Sequence, residues 1–265
     1  MWKVEELLKI IAGFRIMMRV ITALILREII TRYGRDNLGF LWTFLEPAMF
    51  TIGVTILWNI LNFNKHGFPI TAFVLVGYSS GLLWRHTIIY SFNAISANQA
   101  LLYHSVVKPI DLVISRFILE FLSVTTAFVF LCIVYIALGL INPPYDLFYI
   151  IIGWFLMAWF GLGLGLLFAA LSILFEVVGH FIQAFTYIFW ILSGSLYAAE
   201  WLPPNIREYS LFIPTLTNAE LIRYGMFGNI FTPYYDIAYS VVFNLVLTLL
   251  GLYLLRVAHY RLEVD

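Results

Sequence analysis

Charge and cysteine are both scarce in this chain. Only 11% of its 265 residues are charged, and 15 lysines and arginines balance 15 aspartates and glutamates. With a formal net charge of zero, the composition gives no reason to expect a nucleic-acid partner. The single cysteine, Cys132, excludes a disulfide within the chain and leaves the redox compartment open.

Motifs for phosphate binding and metal chemistry are also missing. The sequence has no GxxxxGK[ST] loop to cradle nucleotide phosphates and no HExxH pair to hold zinc. The run GLGLG, from Gly161 to Gly165, resembles part of a dinucleotide-binding loop, but it lies in the middle of an apolar segment. We interpret these glycines as a site of close helix–helix packing. The sequence therefore predicts no catalytic residues, no metal and no cofactor of its own.

Apolar residues, by contrast, make up 62% of the chain. Their runs are too many and too long for one globular core, which predicts an all-α polytopic membrane protein. We expect a single permease domain over residues 38–265, preceded by a separate segment, 1–37. Six predicted transmembrane helices cover Leu38–Leu61, Pro69–Trp84, Phe117–Leu140, Leu147–Leu174, Val177–Tyr197 and Ile237–Arg256.

The first 37 residues differ from a cleaved signal peptide. Glu5 and Glu6 interrupt the basic start that a signal would have, and apolar residues recur every three or four positions. This pattern predicts an amphipathic helix that lies in the membrane interface, with its basic residues towards lipid head groups. A soluble helix packed on another protein is the alternative.

Basic residues are distributed unevenly between the two predicted sides of the membrane. Of the 15 lysines and arginines, 12 fall on the side that holds both termini, and only Lys65, Arg207 and Arg223 fall on the other. Since loops rich in lysine and arginine stay in the cytoplasm, we expect both termini to be cytoplasmic.

The predicted outer segment between spans five and six, residues 198–236, is long and largely apolar. Pro203, Pro204, Pro214 and Pro233 divide it into pieces too short to span. Such pieces favour re-entrant half-helices in the outer leaflet, and an ordinary outer loop is the alternative. We expect Glu220 and Arg223, three residues apart, to pair on one helix face. Rings that would line the exit beside this pair belong to Tyr197, Trp201, Tyr209 and Phe212.

Ionisable residues inside predicted spans are the strongest functional indicators, because burying them in a membrane is costly. Glu46 lies within the first span, and Arg116 and Glu120 stand four apart at the inner end of the third, where they can pair with each other. Glu176 occupies the short turn between spans four and five. For the charged pairs, a structural ion pair or a head-group contact is an equally open alternative.

Aromatic residues make up 18% of the chain. Rings near span ends are explained by interfacial belts, whereas others offer flat surfaces to the C–H faces of sugars. We place Trp42, Glu46 and Tyr187 on a translocation path. Packing in the core or against lipid is the alternative for each ring.

The run LREIITRYGRDNLGFLWTFLEP resembles the opening signature of type-2 ABC exporter permeases, and among them the permeases of capsular polysaccharide exporters. The family pattern places an arginine-containing helix, an Arg-Tyr pair and Leu-Gly-x-Leu-Trp before the first span. Two departures are Ile213-Pro214, where the family has Asn-Pro, and Phe175-Glu176, where it often has Arg-Asp. Matching residues are Arg27, Arg32, Tyr33, Leu38, Gly39, Leu41, Trp42 and Pro47.

The resemblance implies a homodimer with two separately encoded ATPase subunits on the cytoplasmic side, which would bind ATP and magnesium. It also implies an inner-membrane location, and a lipid-linked, anionic polysaccharide passed to a periplasmic co-polymerase and an outer-membrane conduit. Alternatives are a same-fold exporter of O-antigen, teichoic acid or a small lipid-like compound, and a polytopic membrane glycosyltransferase.

The resemblance further implies a cytoplasmic coupling segment between spans two and three, which we expect between Tyr90 and Lys108. Its apolar side, with Ile95, Leu101 and Leu102, would fill a groove on the ATPase. A simple connecting helix among the head groups is the alternative. The residues we assign to ATPase coupling are Arg27, Glu28, Arg32, Tyr33, Ala94, Asn98, Leu101 and Glu176.

Overall fold

A computed structural model of the chain describes residues 2–33, 38–61, 69–102, 107–175 and 177–264. Within these ranges the regular structure is entirely helical. The α-helices are α1 (Trp2–Tyr33), α2 (Leu38–Ile60), α3 (Ile70–Ser96), α4 (Gln99–Leu102), α5 (Pro109–Ala137), α6 (Leu147–Leu174), α7 (Val178–Leu192), α8 (Pro204–Ser210), α9 (Pro214–Phe227) and α10 (Ile237–Val264).

Within the residues that the structure describes, four stretches of helix are long and apolar enough to cross a membrane. They are Leu41–Ile60, Pro109–Ala137, Leu147–Leu174 and Ile237–Tyr260. Helix α3 has 27 residues but is not one of the four, and apolar α7 has only 15. The all-helical class with several membrane-length helices is therefore confirmed, and the count of six spans stays a prediction.

Helices α3 and α5 extend further than the sequence predicts. The expected second span ends at Trp84, whereas α3 continues to Ser96. In its last turns the Thr87 hydroxyl donates to the Leu83 carbonyl at 2.9 Å, so this polar side chain has a partner within the helix. The expected third span began at Phe117, but α5 starts at Pro109. Its start is capped by Asp111, whose carboxylate accepts a hydrogen bond from the Lys108 backbone N–H at 3.0 Å. Both helices run past the predicted spans, and the boundaries of the spans themselves stay predictions.

Helix α3 lies at the centre of the bundle and packs closely on α6. A Cβ atom added at Gly161 would collide with the Thr87 hydroxyl, and one at Gly165 would lie 2.7 Å from Ser91 Cβ. The interpretation of GLGLG as a helix-packing surface is therefore confirmed. This close contact leaves α2 and α5 to cover the other side of α3.

The segment 198–236 folds into short helices. Pro204 and Pro214 stand at the first positions of α8 and α9, where their missing N–H groups cost no hydrogen bond. Nearly every residue of α9 is buried, and the helix packs on α6, α3 and α10. The short helical pieces are as expected, but their location in the outer leaflet stays a prediction.

Helix α1 runs along the outside of the bundle and contacts α5 and α2. Ile11, Phe14, Leu26 and Ile30 remain exposed on it. An exposed apolar face is typical of a helix that lies on a membrane. The helix itself is as expected, whereas its place in the interface and the division at residue 37 stay predictions.

Candidate functional site

Three groups of polar residues occupy different parts of the bundle. The first, the α1 cluster, consists of Arg27, Glu28, Asn98 and Arg116. Arg27 donates from Nη1 to the Asn98 side-chain oxygen at 3.0 Å, and Glu28 forms an ion pair with Arg116. These two adjacent residues of α1 thus bind two different elements, the α3–α4 junction and α5. The cluster joins the N-terminal helix to the segment that the sequence assigns to ATPase coupling.

The partners of Arg116 and Glu120 differ from the predicted ones. We expected these residues, four apart on α5, to pair with each other. The structure instead pairs Arg116 with Glu28, and places His86 Nδ1 3.7 Å from Glu120 Oε2. Arg116 and Glu120 therefore each contact another helix, and the local spacing did not identify these contacts.

The coupling segment packs part of its apolar side in the chain's own core. Ala94 is fully buried, and Asn98 is buried where its amide donates to the Ala94 carbonyl at 2.8 Å. Leu101 packs against a core cluster that includes Ile95. The chain's own core thus covers Ile95 and part of Leu101, and the docking of this apolar side into a groove on a partner stays a prediction. The exposed residues of the stretch are Asn93, Ser96, Ala97, Gln99 and Ala100.

Three residues assigned to coupling cannot be placed. Arg32 and Tyr33 belong to α1, but their side chains lie outside the described residues, as does the whole of Glu176. Their roles remain predictions from the resemblance.

The second group lines the polar cavity, a half-open space of about 350 Å³ between α2, α3 and α5. Glu46 contributes from α2, His86 from α3 and Glu120 from α5. The Tyr78 hydroxyl donates to Glu46 Oε1 at 3.4 Å. Ionisable groups from three helices therefore converge on one cavity, and two of these helices, α2 and α5, contain stretches long and apolar enough to cross a membrane. Its other polar and aromatic lining residues are Trp42, Thr43, Ser79, Tyr90, Ser123 and Phe128.

The residues predicted for the translocation path separate into two places. Trp42 and Glu46 line the polar cavity together, and the Trp42 side chain is 57% exposed. Tyr187 does not line it. Its ring lies on α7, where the Arg85 guanidinium sits 4.0 Å from the ring centroid. A charge from α3 thus stacks on an exposed ring of α7.

The third group is the buried pair Glu220 and Arg223 on α9. Their side chains are fully buried and 3.4 Å apart, so the expected pairing is confirmed. Arg223 donates to the backbone carbonyls of Tyr197 at 2.8 Å and Gly194 at 2.6 Å. Glu220 accepts hydrogen bonds from the backbone N–H of Ala199 at 3.0 Å and of Tyr234 at 3.3 Å. The pair thus fastens both flanks of the segment 198–236 to α9.

Burial controls the ionisation of this pair. Loss of hydration raises the pKa of Glu220 and lowers that of Arg223 to about 10. Each charge opposes the shift of the other, and the two backbone N–H donors also favour the carboxylate. Arg223 therefore stays charged at neutral pH, held by carbonyl oxygens and the carboxylate.

The four rings expected beside this pair are not equivalent. Trp201 packs inward, with its ring centroid 4.9 Å from that of Phe73, and the Tyr197 hydroxyl donates to the Leu192 carbonyl at 2.8 Å. Tyr209 and Phe212 are strongly exposed. Tyr197 and Trp201 are half-buried, so the four rings differ in exposure, and their place at an exit stays a prediction.

Sequence reasoning missed Ser79, Tyr78 and His86 as lining or support of the polar cavity. Two signals were available: the pair Ser79-Ser80 interrupts an apolar helix, and His86 follows it by two turns on the same helix. Their convergence with Glu46 and Glu120 depends on packing between distant helices, which residue spacing does not reveal.

Comparison of the sequence with known proteins assigns the chain to a family. Residues 19–227 match the family model described as "ABC-2 type transporter". The chain is 40% identical over 235 residues to the capsule polysaccharide export inner-membrane protein CtrC of Neisseria meningitidis serogroup B, a match that covers 88% of this chain and 89% of the relative. It is 36% identical over 239 residues to the capsule polysaccharide export inner-membrane protein BexB of Haemophilus influenzae, covering 90% of each.

A more distant relative extends the match. The polysialic acid transport protein KpsM of Escherichia coli is 28% identical over 251 residues, covering 92% of this chain and 95% of the relative. The family model accounts for most of the chain, and the similarity to these relatives runs through nearly the whole of it. The chain belongs to the ABC-2 type transporter family.

Proposed function

We propose that the chain is the membrane-spanning subunit of an ATP-driven exporter of lipid-linked capsular polysaccharide, in an inner membrane. The observation that carries this proposal is the 40% identity to a capsule polysaccharide export inner-membrane protein over 88% of the chain. The polar cavity within membrane-length helices supports it, because a hydrophilic cargo needs polar groups at that depth.

In this proposal the chain supplies the path and a partner supplies the energy. The sequence has no P-loop, so ATP and magnesium would be bound by two separate ATPase subunits below a homodimer of this chain. Six spans with both termini in the cytoplasm would bring α1 and the coupling segment to the ATPase side, in agreement with the distribution of basic residues. The polymer would then pass to a periplasmic co-polymerase and an outer-membrane conduit.

The α1 cluster provides a route from the ATPase to the membrane. Movement of the exposed face of the coupling segment would reach α1 through Asn98 and Arg27, and α5 through Glu28 and Arg116. Helix α5 also carries Glu120, which lines the polar cavity. A displacement of the coupling segment would therefore reach the polar cavity through these contacts and through α5.

At the opposite end, the segment 198–236 would close the path when it is empty. Short helices need protein cover for their broken backbone in a membrane, and the pair Glu220–Arg223 provides it by binding the backbone on both sides of α9. We propose that this segment is a re-entrant gate held by that pair.

Co-purification with the products of neighbouring genes tests the function. The complex should contain a P-loop ATPase, and capsular polymer should stimulate its ATP hydrolysis, whereas the purified chain alone should hydrolyse none. ATP hydrolysis by the chain alone at a transporter's rate would contradict the assignment. If teichoic acid or O-antigen stimulates ATP hydrolysis and capsular polymer does not, the chain is still an exporter subunit but its cargo is a different one.

A further inference from the structure

A groove between α5 and α10 has a basic rim. Lys108, Arg256 and His259 line this groove, which has a volume of about 150 Å³, and no acidic residue is among its described lining. Lys108 and Arg256 are exposed, and neither forms an ion pair within the part of the chain that the structure describes. Two cationic side chains and an imidazole therefore meet at one place with no carboxylate among them.

The acidic residues of α5 do not neutralise this rim. Asp111 is 2% exposed, and its carboxylate accepts a hydrogen bond from the Lys108 backbone N–H at 3.0 Å. Its charge attracts that of Lys108. Glu120 lies elsewhere, in the polar cavity beside His86. Since Asp111 can balance only one of two cations, the rim keeps a positive charge and favours an anionic ligand.

The groove lies where two membrane-length stretches end. Lys108 immediately precedes the stretch Pro109–Ala137, and Arg256 lies about one turn before the end of Ile237–Tyr260. Basic residues at such positions lie near the lipid head groups, where anionic lipids are attracted to them. The anion at this rim is therefore expected at the membrane surface.

A second groove, about 330 Å³ in volume, follows along α5 and is lined by α5 and α6. Ile110 and Leu252 belong to the basic groove, whereas Phe117 and Phe121 line the second. Ile110, Phe117 and Phe121 recur at helical spacing, so they lie on one face of α5. From Lys108 to Phe121 the helix rises about 20 Å, which is comparable with the hydrocarbon depth of one leaflet, about 15 Å.

The second groove suits an acyl chain and no polar ligand. Its described side chains are aromatic or aliphatic, and the one polar group among them is the Trp159 indole N–H. That group already donates to the Thr248 hydroxyl at 3.0 Å. A hydroxyl or an amide placed there would lose its hydrogen bonds to water without gaining others, which is unfavourable.

We infer that the two grooves together bind one anionic phospholipid. Its phosphate would contact Lys108, Arg256 and His259, and one acyl chain would run past Ile110 towards Phe121. In the expected orientation this lipid belongs to the cytoplasmic leaflet. The bound lipid would join α5 to α10 at the point where the coupling segment ends. The inference does not depend on what the chain exports, because these grooves share no lining residue with the polar cavity.

The test measures lipid binding to the purified chain in detergent by native mass spectrometry. Dioleoyl-phosphatidylglycerol and dioleoyl-phosphatidylcholine are the probes, because they share acyl chains and differ in net charge. Glycerol 3-phosphate represents the head group without chains. The double variant Lys108→Gln with Arg256→Gln removes two exposed charges from the rim. Arg15→Gln with Arg19→Gln removes two exposed charges from α1 and is the matched control.

Phosphatidylglycerol should bind the unmodified chain at least about tenfold more tightly than phosphatidylcholine. Its affinity should fall about thirtyfold in the rim variant, because each basic group near the membrane surface attracts the anionic lipid, and should stay the same in the α1 control. Glycerol 3-phosphate should bind at least about a hundredfold more weakly, since it has no acyl chain to bury. Phosphatidylglycerol should also raise the melting temperature of the unmodified chain and of the α1 control more than that of the rim variant.

Equal binding of the two lipids, or an unaffected rim variant, would overturn the inference. An equal loss in the α1 control would also overturn it, in favour of a general attraction of anionic lipids to the chain's charges. Binding of glycerol 3-phosphate as tight as that of the lipid would replace the lipid site with a site for a soluble anion. None of these outcomes bears on ATP-driven export, because the assay contains no ATPase, ATP or polymer.

Discussion

Glu28 on α1 forms an ion pair with Arg116 on α5, 88 residues further along the chain. Both side chains are mostly buried, with exposed fractions of 17% and 15%. Their contact, beside that of Arg27 with Asn98, fixes α1 to the bundle at the level of the coupling segment. A charged contact at this junction gives the N-terminal helix a defined mechanical connection to α5.

Reversing the charges of this pair should distinguish a role in export from a role in stability alone. Glu28→Arg and Arg116→Glu alone should each impair export and lower the free energy of unfolding by about 2 kcal/mol, because a charge-assisted hydrogen bond is lost in a mostly buried place. The double variant, Glu28→Arg with Arg116→Glu, should recover part of the export and part of the lost stability. Export and thermal unfolding in detergent measure the outcome, and Arg15→Glu on the exposed part of α1 is the control. A double exchange no better than its worse single variant would contradict the pairing as the functional contact.

The coupling face can be mapped by crosslinking, since Cys132 is the chain's one cysteine and Cys132→Ser gives a clean background. Cysteines at Ser96, Ala97, Gln99 and Ala100, which are exposed, should crosslink to the ATPase subunit. A cysteine at buried Ala94 should not react unless the segment moves. Equal reaction at all five positions, or labelling of these positions from the outside of intact cells, would refute the coupling role.

Removing one member of the buried pair on α9 should affect export more than membrane insertion. Arg223→Ala leaves the buried Glu220 carboxylate without its cationic partner and three backbone carbonyls without their donor, at a cost of about 3–5 kcal/mol. Glu220→Gln keeps an acceptor for the Ala199 N–H and should be milder. Export, membrane integration and ion leakage through vesicles measure the effect, with exposed Arg19→Ala as the control. Normal export with no leak in both variants would remove the gate and leave a structural anchor.

Because α3 and α6 are in close contact, an added methyl group should destabilise the protein at a glycine within that contact but not at a glycine with open space around it. Gly161→Ala places a methyl group against the Thr87 side chain and should lower the free energy of unfolding by about 1–3 kcal/mol. At Gly53 on α2 a Cβ atom meets nothing within 4 Å, so Gly53→Ala should be neutral or slightly stabilising. Thermal unfolding in detergent compares the two. Equal melting temperatures would show that α3 and α6 do not pack as described.

How much the sequence predicted depended on how local each feature is. Glu220 and Arg223 stand three apart on one helix, so their pairing followed from helix geometry alone. Arg116 also had an acidic residue four positions away, but its partner Glu28 is 88 residues distant, and no local pattern identifies it. The apolar side of the coupling segment was read from its spacing, yet the spacing could not say that the chain's own core covers Ile95 and part of Leu101. The polar cavity was only partly foreseen, through Trp42 and Glu46, because its other walls come from α3 and α5.

The central claim is that this chain forms the path and a separate ATPase drives polymer through it. The most direct test is transport into inside-out membrane vesicles that contain this chain and its partner ATPase, with lipid-linked capsular polymer and a polymer-degrading enzyme outside. The account predicts that ATP makes the polymer resistant to the enzyme only when both subunits are present, and that omitting this chain abolishes the protection. Polymer that stays fully accessible with both subunits and ATP, or protection that persists without this chain, would contradict it.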